Sequence, residues 1–284
     1  MKMETWFWIL GWFFSILTMT GNGFFILLVC TRRHLRTKTN AFVLSLAGAD
    51  FFVGMTAVPS LFLLERIGHG YSQGLYTGLK SLKWLFQDAS VINMCSLVLD
   101  RYIAVVKPLK YLTFMTSRRV IQLISFSWGL CVVFILVSSS LLFSLNPRVV
   151  LRTLFWVVFV LFYFLPCLMI IFCFARMLRV IYMQNRAPAF SGKQLRFNKR
   201  REKSALIMMM IVVFLFLVLC GINIRCIFAV ILNDKCDRGN YRDLILVLNS
   251  AVNPLAYAFF KADLKREIKK IFCKVAVERK AVNV

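Results

Sequence analysis

Leu97-Val98-Leu99-Asp100-Arg101-Tyr102 closes one long apolar run, and Asn253-Pro254-Leu255-Ala256-Tyr257 closes the last one in the chain. An Asp-Arg pair on a hydrocarbon-spanning segment is costly, and where it persists it marks function. Outward from these motifs the chain alternates long apolar runs with short basic stretches. It is 60% hydrophobic, with 28 Phe in 284 residues and a mean hydropathy of +0.74, too apolar for a soluble domain. A bilayer core roughly 30 Å thick needs about 20 apolar residues per helix. Seven such spans are expected, at Trp6–Cys30, Thr39–Leu64, Leu75–Val106, Arg119–Phe143, Thr153–Tyr182, Glu202–Leu232 and Tyr241–Phe260. The expected fold class is an all-α membrane protein: a seven-helix bundle over residues 1–260, then a short amphipathic eighth helix and basic tail over 261–284. The apolar start after Lys2 imitates a signal peptide. It runs too long for one, carries Gly21-Asn22 inside it, and has no small-residue cleavage site before the next basic loop.

A net charge of +24 in a soluble protein would point to nucleic acid. Its distribution points elsewhere. Segments 31–38, 107–119, 176–203 and 261–284 hold 4, 4, 9 and 8 Lys and Arg, whereas the N-terminus and segments 65–80, 144–152 and 233–242 together hold 8. The excess assigns the first set to the cytoplasm, with the N-terminus outside and the C-terminus inside. A plasma-membrane location and an anionic inner leaflet suit such a face, and no nucleic-acid partner is expected. The nine cysteines do not build a disulfide framework. Seven fall inside spans, where Cys behaves as a small apolar residue, Cys273 is cytoplasmic, and Cys236 alone lies in an outer loop.

The polar residues inside the spans carry the functional reading. Asp50 lies about 11 residues into its span, roughly 17 Å deep at about 1.5 Å per residue, near the bilayer centre. A bare carboxylate there costs at least about 2.5–3.5 kcal/mol, so it needs partners. Asn249, Ser250 and Asn253 of the seventh span and Ser90 of the third are the candidates. One reading is a hydrogen-bond cluster that only orients helices; another is a cluster beside Pro254 built to rearrange. On the third span Lys83, Ser90 and Arg101 share one azimuth at about 100° per residue, and Asp88 points away towards a neighbouring helix. Asp243 and Ser250 share a face of the seventh span, which turns Asp243 inward near its outer end.

Gly21-Asn22, Asn40, Ser45-Leu46-Ala47 with Asp50, Asp100-Arg101-Tyr102 with Pro108-Leu109, Trp128, Pro166 and Asn253-Pro254-x-x-Tyr257 with Phe260 occur in order on successive spans. Each resembles the signature of one helix of the rhodopsin-like (class A) G-protein-coupled receptors, and the resemblance covers essentially the whole chain. It implies a receptor that transduces an extracellular or membrane-borne ligand to a heterotrimeric G-protein. By the same resemblance Arg101, flanked by Asp100 and Tyr102, contacts the G-protein, and Leu109 inserts from the second inner loop. Asn253, Pro254 and Tyr257 move on activation. Asp50, Ser90, Asn249, Ser250 and Asn253 resemble the family's sodium pocket, making a sodium ion an expected allosteric ligand and no other cofactor expected.

The departures are as informative. The sixth span reads Cys220-Gly221-Ile222-Asn223 in place of Cys-Trp-x-Pro, so Gly221 cannot serve as the aromatic toggle. Leu217 replaces a core phenylalanine, Phe174 replaces the tyrosine that partners Tyr257, and Lys203 stands where an acid would face Arg101, with Glu202 beside it. These changes are expected to give either high basal activity or weak signalling. Tyr76 takes the place of the cysteine at the outer end of the third span. Melanocortin, lysophospholipid and cannabinoid receptors also lack that disulfide. Lys83 replaces the amine-receptor aspartate, so a typical amine loses its usual anchor.

The candidate ligand pocket is Lys83, Gln87, Asn223, Arg225 and Asp243. Lys83 and Arg225 point to an anionic or carbonyl-bearing ligand; the competing reading is a Lys83–Asp243 ion pair across an apolar pocket, and breaking such a buried pair costs about 3–5 kcal/mol. An enzyme is not expected, since the two histidines, His34 and His69, are loop residues and no nucleophile–base set is present. A transporter would show paired halves and broken helices at mid-membrane, and no internal symmetry is visible. In the tail Leu264, Ile268, Ile271 and Phe272 form one apolar face bordered by Lys265, Arg266, Lys269 and Lys270, as in a helix lying in the membrane interface. Cys273 at its end is a candidate palmitoylation site, the alternative being an unmodified thiol.

Overall fold

The computed structural model describes residues 5–67, 73–144, 147–186, 213–214, 216–218, 221, 239–260, 264–271 and 273. Every long element among them is helical. The first three spans are Thr5–Thr31, Lys38–Ile67 and Gln73–Val106, and the fourth is Ser117–Ser144. The fifth is made of Pro147–Val158, a π-helical turn at Phe159–Phe164, and Leu165–Arg186; the seventh is Gly239–Phe260. Five of these helices are long and apolar enough to cross a membrane, and Leu244–Ala258 of the seventh is a shorter apolar stretch. Of the sixth span only residues between 213 and 221 are described, and they are helical.

Two loops are more helical than the sequence reading expected. The fifth helix starts at Pro147 instead of Thr153, and the second inner loop contains a helix at Pro108–Phe114. In both, proline occupies the first helical position, where its missing N–H is one the helix would leave unpaired and its fixed φ already suits the helix. Pro166 lies inside the fifth helix, and the turn before it is widened so that the Leu165 N–H reaches Val160 O. A π turn is one way a helix accommodates the clash and lost bond of an internal proline.

Hydrophobicity alone cannot orient these helices, because lipid is as apolar as their side chains. Small and polar residues decide which face turns inward. Thr18, Asn22, Asp50, Asn93 and Ser250 are buried, while Ile9, Leu27, Val133 and Leu136 are exposed on the outer surface where lipid covers them. The first span packs on the second and seventh, and the third packs on the second, fourth and fifth. Phe42, Leu46, Val98, Phe162, Met177 and Tyr257 belong to one core between them. Glycine permits the closest approaches. A Cβ on Gly21 would meet Pro254 Cγ at 2.8 Å, and one on Gly54 would meet Ser15 O at 3.1 Å.

The Gly21–Pro254 contact sets how closely the first span meets the proline of the seventh. Gly21→Ala is expected to destabilise the bundle by about 1–3 kcal/mol, the usual cost of overpacking. Gly48→Ala, where a Cβ meets nothing within 4 Å, is expected to be neutral or slightly stabilising. Thermal unfolding of the purified variants compares them, and equal midpoints would show that the contact is not limiting.

Candidate functional site

Asp50 is fully buried, and the helices around it supply three donors. Ser90 Oγ donates to Oδ1 at 2.6 Å, Ser250 Oγ to the same oxygen at 2.8 Å, and Asn253 Nδ2 to Oδ2 at 2.7 Å. Ser250 and Asn253 are three apart and therefore neighbours on one face of the seventh helix. Asn22 ties the first span in by donating to Ser250 O at 3.2 Å and to Thr18 O at 2.9 Å. Asn249, also expected here, is buried, but none of the described hydrogen bonds joins it to Asp50. Its Oδ1, Asn253 Oδ1 and Asn22 Oδ1 are enclosed without hydrogen-bond partners among the described residues. One carboxylate, two hydroxyls and orphaned amide oxygens are hard donors of the kind a small monovalent cation takes, so the residues present fit a sodium ion. Beside this cluster Trp128 Nε1 donates to Ser45 Oγ at 2.9 Å, and Ser45 donates to Asn93 Oδ1 at 2.7 Å. That chain locks the second, third and fourth spans together.

At the inner end Asp100 is wholly buried and gathers three side chains. Arg101 donates to its Oδ2 from Nη2 at 2.6 Å and from Nε at 3.0 Å. Thr39 of the second span donates to the same oxygen at 3.2 Å, and Arg101 Nη2 also contacts Thr39 Oγ1. Tyr111, from the inner-loop helix, donates to Asp100 Oδ1 at 2.9 Å. Burial, reinforced by the charge of Asp100, pushes the Tyr111 hydroxyl above its ordinary range and keeps it a donor. Leu109, on the same short helix, is 84% exposed. Tyr102 packs near Phe172 at 6.3 Å between ring centroids. Tyr257 is buried against Phe25 at 5.4 Å, and its hydroxyl has no hydrogen-bond partner among the described residues. Phe174, at the position where the family carries a tyrosine, has no hydroxyl to offer it.

Thr39 and Tyr111 were not foreseen as partners of Asp100. Tyr111 reaches back only because the inner loop folds into a helix, and no spacing in the sequence signals that return. In the outer half Lys83 is buried with its ammonium 5.7 Å from the Trp84 ring, and Gln87 is buried beside it. Asn223 and Arg225, and the side chain of Asp243, lie outside the described residues, and with them the Lys83–Asp243 pairing. Gly221 is exposed, and a Cβ there would meet nothing within 4 Å.

The eighth helix adds contacts with the bundle to its expected amphipathic form. Residues 264–271 are helical, but Leu264 is buried in the bundle core, and Ile268 and Ile271 pack against it. Three of the four residues of the expected apolar face thus meet the bundle, and the fourth, Phe272, lies outside the described residues. Glu267 lies on that same face and is buried. Lys270 Nζ donates to Glu267 Oε1 at 2.7 Å, His34 Nε2 stands 3.3 Å from that oxygen, and Arg32 Nε is 3.7 Å from Oε2. An acid at the second position of the stripe 264, 267, 268, 271 is the legible signal for this anchor.

The model of the family described as 7 transmembrane receptor (rhodopsin family) matches residues 21–257. The chain belongs to that family. It is similar to the probable G-protein coupled receptor No9 of Amphibalanus amphitrite, 37% identical over 42% of this chain and 25% of that one. It is also similar to dopamine receptor 2 of Drosophila melanogaster, 32% identical over 64% of this chain and 36% of the relative. The alpha-2 adrenergic receptor of Labrus ossifagus is 29% identical over 64% of this chain and 44% of its own length. The matches therefore span less than half the length of these relatives.

The hydrogen bond from Lys270, with the charges of Lys270, His34 and Arg32, holds the Glu267 carboxyl below its ordinary range against the opposing effect of burial. A lowered folded-state value stabilises above the ordinary carboxylate range, and that stability is lost as pH falls through the folded value. Glu267→Gln is expected to loosen the eighth helix at pH 7, read as faster amide hydrogen exchange over residues 264–271. The difference from wild type is expected to shrink as the pH drops below about 4. A difference that is the same at pH 7 and below pH 4 would remove the ionic anchor.

Proposed function

We propose that this chain is a multi-pass receptor of the plasma membrane that passes ligand binding in its outer half to a heterotrimeric G-protein at its inner face. The supporting observation is the Arg101 guanidinium held on Asp100 and Thr39, beside an exposed Leu109. A cation parked on an internal acid is ready to be exchanged for an outside partner once the helices part. Ligand acts by binding the open arrangement more tightly than the closed one. The basic-loop asymmetry supports an N-terminus outside and a C-terminus in the cytoplasm, against an anionic inner leaflet. Relatives bear the names of amine receptors, yet Lys83 occupies the outer position where those receptors place an aspartate. The pocket of Lys83, Gln87, Asn223, Arg225 and Asp243 therefore takes an anionic or carbonyl-bearing group at its outer end. Cys273, exposed past the eighth helix, is the proposed lipidation site.

A second reading is favoured by the lone Tyr257 hydroxyl and by Gly221: a receptor fold with high basal output or with none. Both readings meet in one assay. Arg101→Ala is expected to abolish coupling in cells while an N-terminal tag still stains on intact cells. Undiminished coupling in that variant would refute the assignment, and coupling absent from wild type would leave the non-signalling reading.

Asp50, Ser90, Asn249, Ser250 and Asn253 would hold a sodium ion, which supplies a positive charge that offsets the buried carboxylate. Held there, it favours the compact arrangement of the second, third and seventh spans. A modest sodium-dependent decrease in agonist affinity at constant ionic strength is expected for wild type, and none for Asp50→Asn. Equal sodium sensitivity in both would rule the site out.

A further inference from the structure

The eighth helix carries Lys265, Arg266, Lys269 and Lys270, and these four cations are not equivalent. At about 100° per residue, Leu264, Ile268 and Ile271 centre the face that packs on the bundle. Arg266 and Lys270 border that face on one flank, Lys265 and Lys269 on the other, and all four are exposed. Glu267 lies between the apolar face and the Arg266–Lys270 flank, and it is buried. It decides which flank is built. Lys270 Nζ donates to its Oε1 at 2.7 Å, and the first inner loop comes to the same carboxylate, His34 Nε2 at 3.3 Å and Arg32 Nε at 3.7 Å.

One buried acid thus draws together cations from two segments far apart in the sequence. Arg32, Arg266 and Lys270 set three positive charges against the one negative charge of Glu267, a surplus of two before His34 is counted. Pairing does not enclose them. The side chains of Arg32, His34 and Lys270 are 51%, 57% and 72% exposed, while that of Glu267 is 5% exposed. The acid lies beneath its partners and leaves their charged ends available. The first span ends at Thr31, with Cys30 exposed on its last turn, and Arg32 follows directly. The corner therefore stands at the inner edge of the hydrocarbon, at the level of the lipid phosphates. Cations already held in one place bind phosphates held in one place with less ordering cost than scattered ones.

We infer that the corner of Arg32, His34, Arg266 and Lys270 binds an inner-leaflet lipid whose headgroup carries several phosphates on one ring, a phosphoinositide. Glu267 is the residue that positions the cations. The inference deepens the reading that this face meets an anionic inner leaflet, and it does not rest on coupling to a G-protein. Diffuse attraction between a basic face and an anionic bilayer depends only on charge, and it treats the two flanks of the helix alike. A site distinguishes them, because only one flank has cations converging from a second segment. Each cation close to an anionic surface adds roughly fivefold to affinity. A headgroup with clustered phosphates engages Arg32, Arg266 and Lys270 together, whereas one with a single phosphate engages them one at a time.

The test uses the purified full chain in phosphatidylcholine nanodiscs containing either phosphatidylinositol bisphosphate or phosphatidylserine, at equal total lipid charge. Native mass spectrometry counts the lipid retained on the protein. Wild type is expected to retain the bisphosphate lipid over phosphatidylserine by at least about tenfold. Arg266→Gln with Lys270→Gln is expected to bring that preference within about twofold. Lys265→Gln with Lys269→Gln removes the same charge from the other flank and is expected to leave the preference unchanged. Arg266→Lys with Lys270→Arg keeps the charge and is expected to keep the preference; its loss there would trace the effect to packing and overturn the site. Equal losses from the two flanks overturn it as well. So does a wild type that retains both lipids alike, the result expected of a flank that faces an acidic protein surface. Displacement of the bound lipid by soluble inositol trisphosphate at the lipid's own concentration would assign the corner to a free phosphate and overturn the lipid. A nanodisc presents the same lipids on both leaflets and holds no G-protein. Neither the orientation of the chain nor coupling through Arg101 enters the result, so the two proposals fail separately.

Discussion

A carboxylate at the centre of a bilayer has no water to solvate it, so the protein must bring every partner to it. Asp50 imposes that demand on the second span, and the bundle answers with donors from the third and seventh. Asn22 adds the first span through Ser250 O, and Gly21 lets that span close on Pro254. Remove the charge, and the reason for these helices to meet at one depth and rotation is gone. Dispersion between apolar faces would still hold helices together, but it discriminates poorly between rotations when lipid packs almost as well.

The same demand recurs at the inner end with a different solution. Asp100 is neutralised by the adjacent Arg101, and Thr39 and Tyr111 take up the remaining lone pairs. Two elements outside the third span thus hold its cytoplasmic end. Between the two acids run Asn253, Pro254 and Tyr257, where the seventh helix combines a missing backbone donor with a hydroxyl that has no hydrogen-bond partner among the described residues. A segment so loosely satisfied is easier to rearrange than its surroundings. Gly221 brings no side chain, and Phe174 no hydroxyl, to the neighbouring spans.

The eighth helix shows how a tail short of apolar surface is held. Leu264, Ile268 and Ile271 cover the underside of the bundle, and Glu267 adds an ionic tie to the first inner loop through Arg32 and His34. Lys265, Arg266, Lys269 and Lys270 remain exposed around it. The helix thereby joins a basic rim to the protein without burying any of those four charges.

The sequence by itself determined the class. Length of the apolar runs, the bias of Lys and Arg, and motifs in order are local quantities, and they are visible without a fold. It also marked Asp50 and the residues that meet it, since mid-membrane polar groups have few places to go. Tertiary structure decided which of them pair. Ser250 and Asn253 reach Asp50 while Asn249 does not, because helix rotation, set by packing with three neighbours, distinguishes residues one step apart. Tyr111 on Asp100 depended on a loop folding into a helix, and Glu267 on a tail docking beneath the bundle; both contacts join segments whose approach no periodicity encodes. Asp88 was legible only as a residue pointing away from the inward stripe. That its Oδ1 is enclosed without a hydrogen-bond partner among the described residues was decided by the packing around the third span.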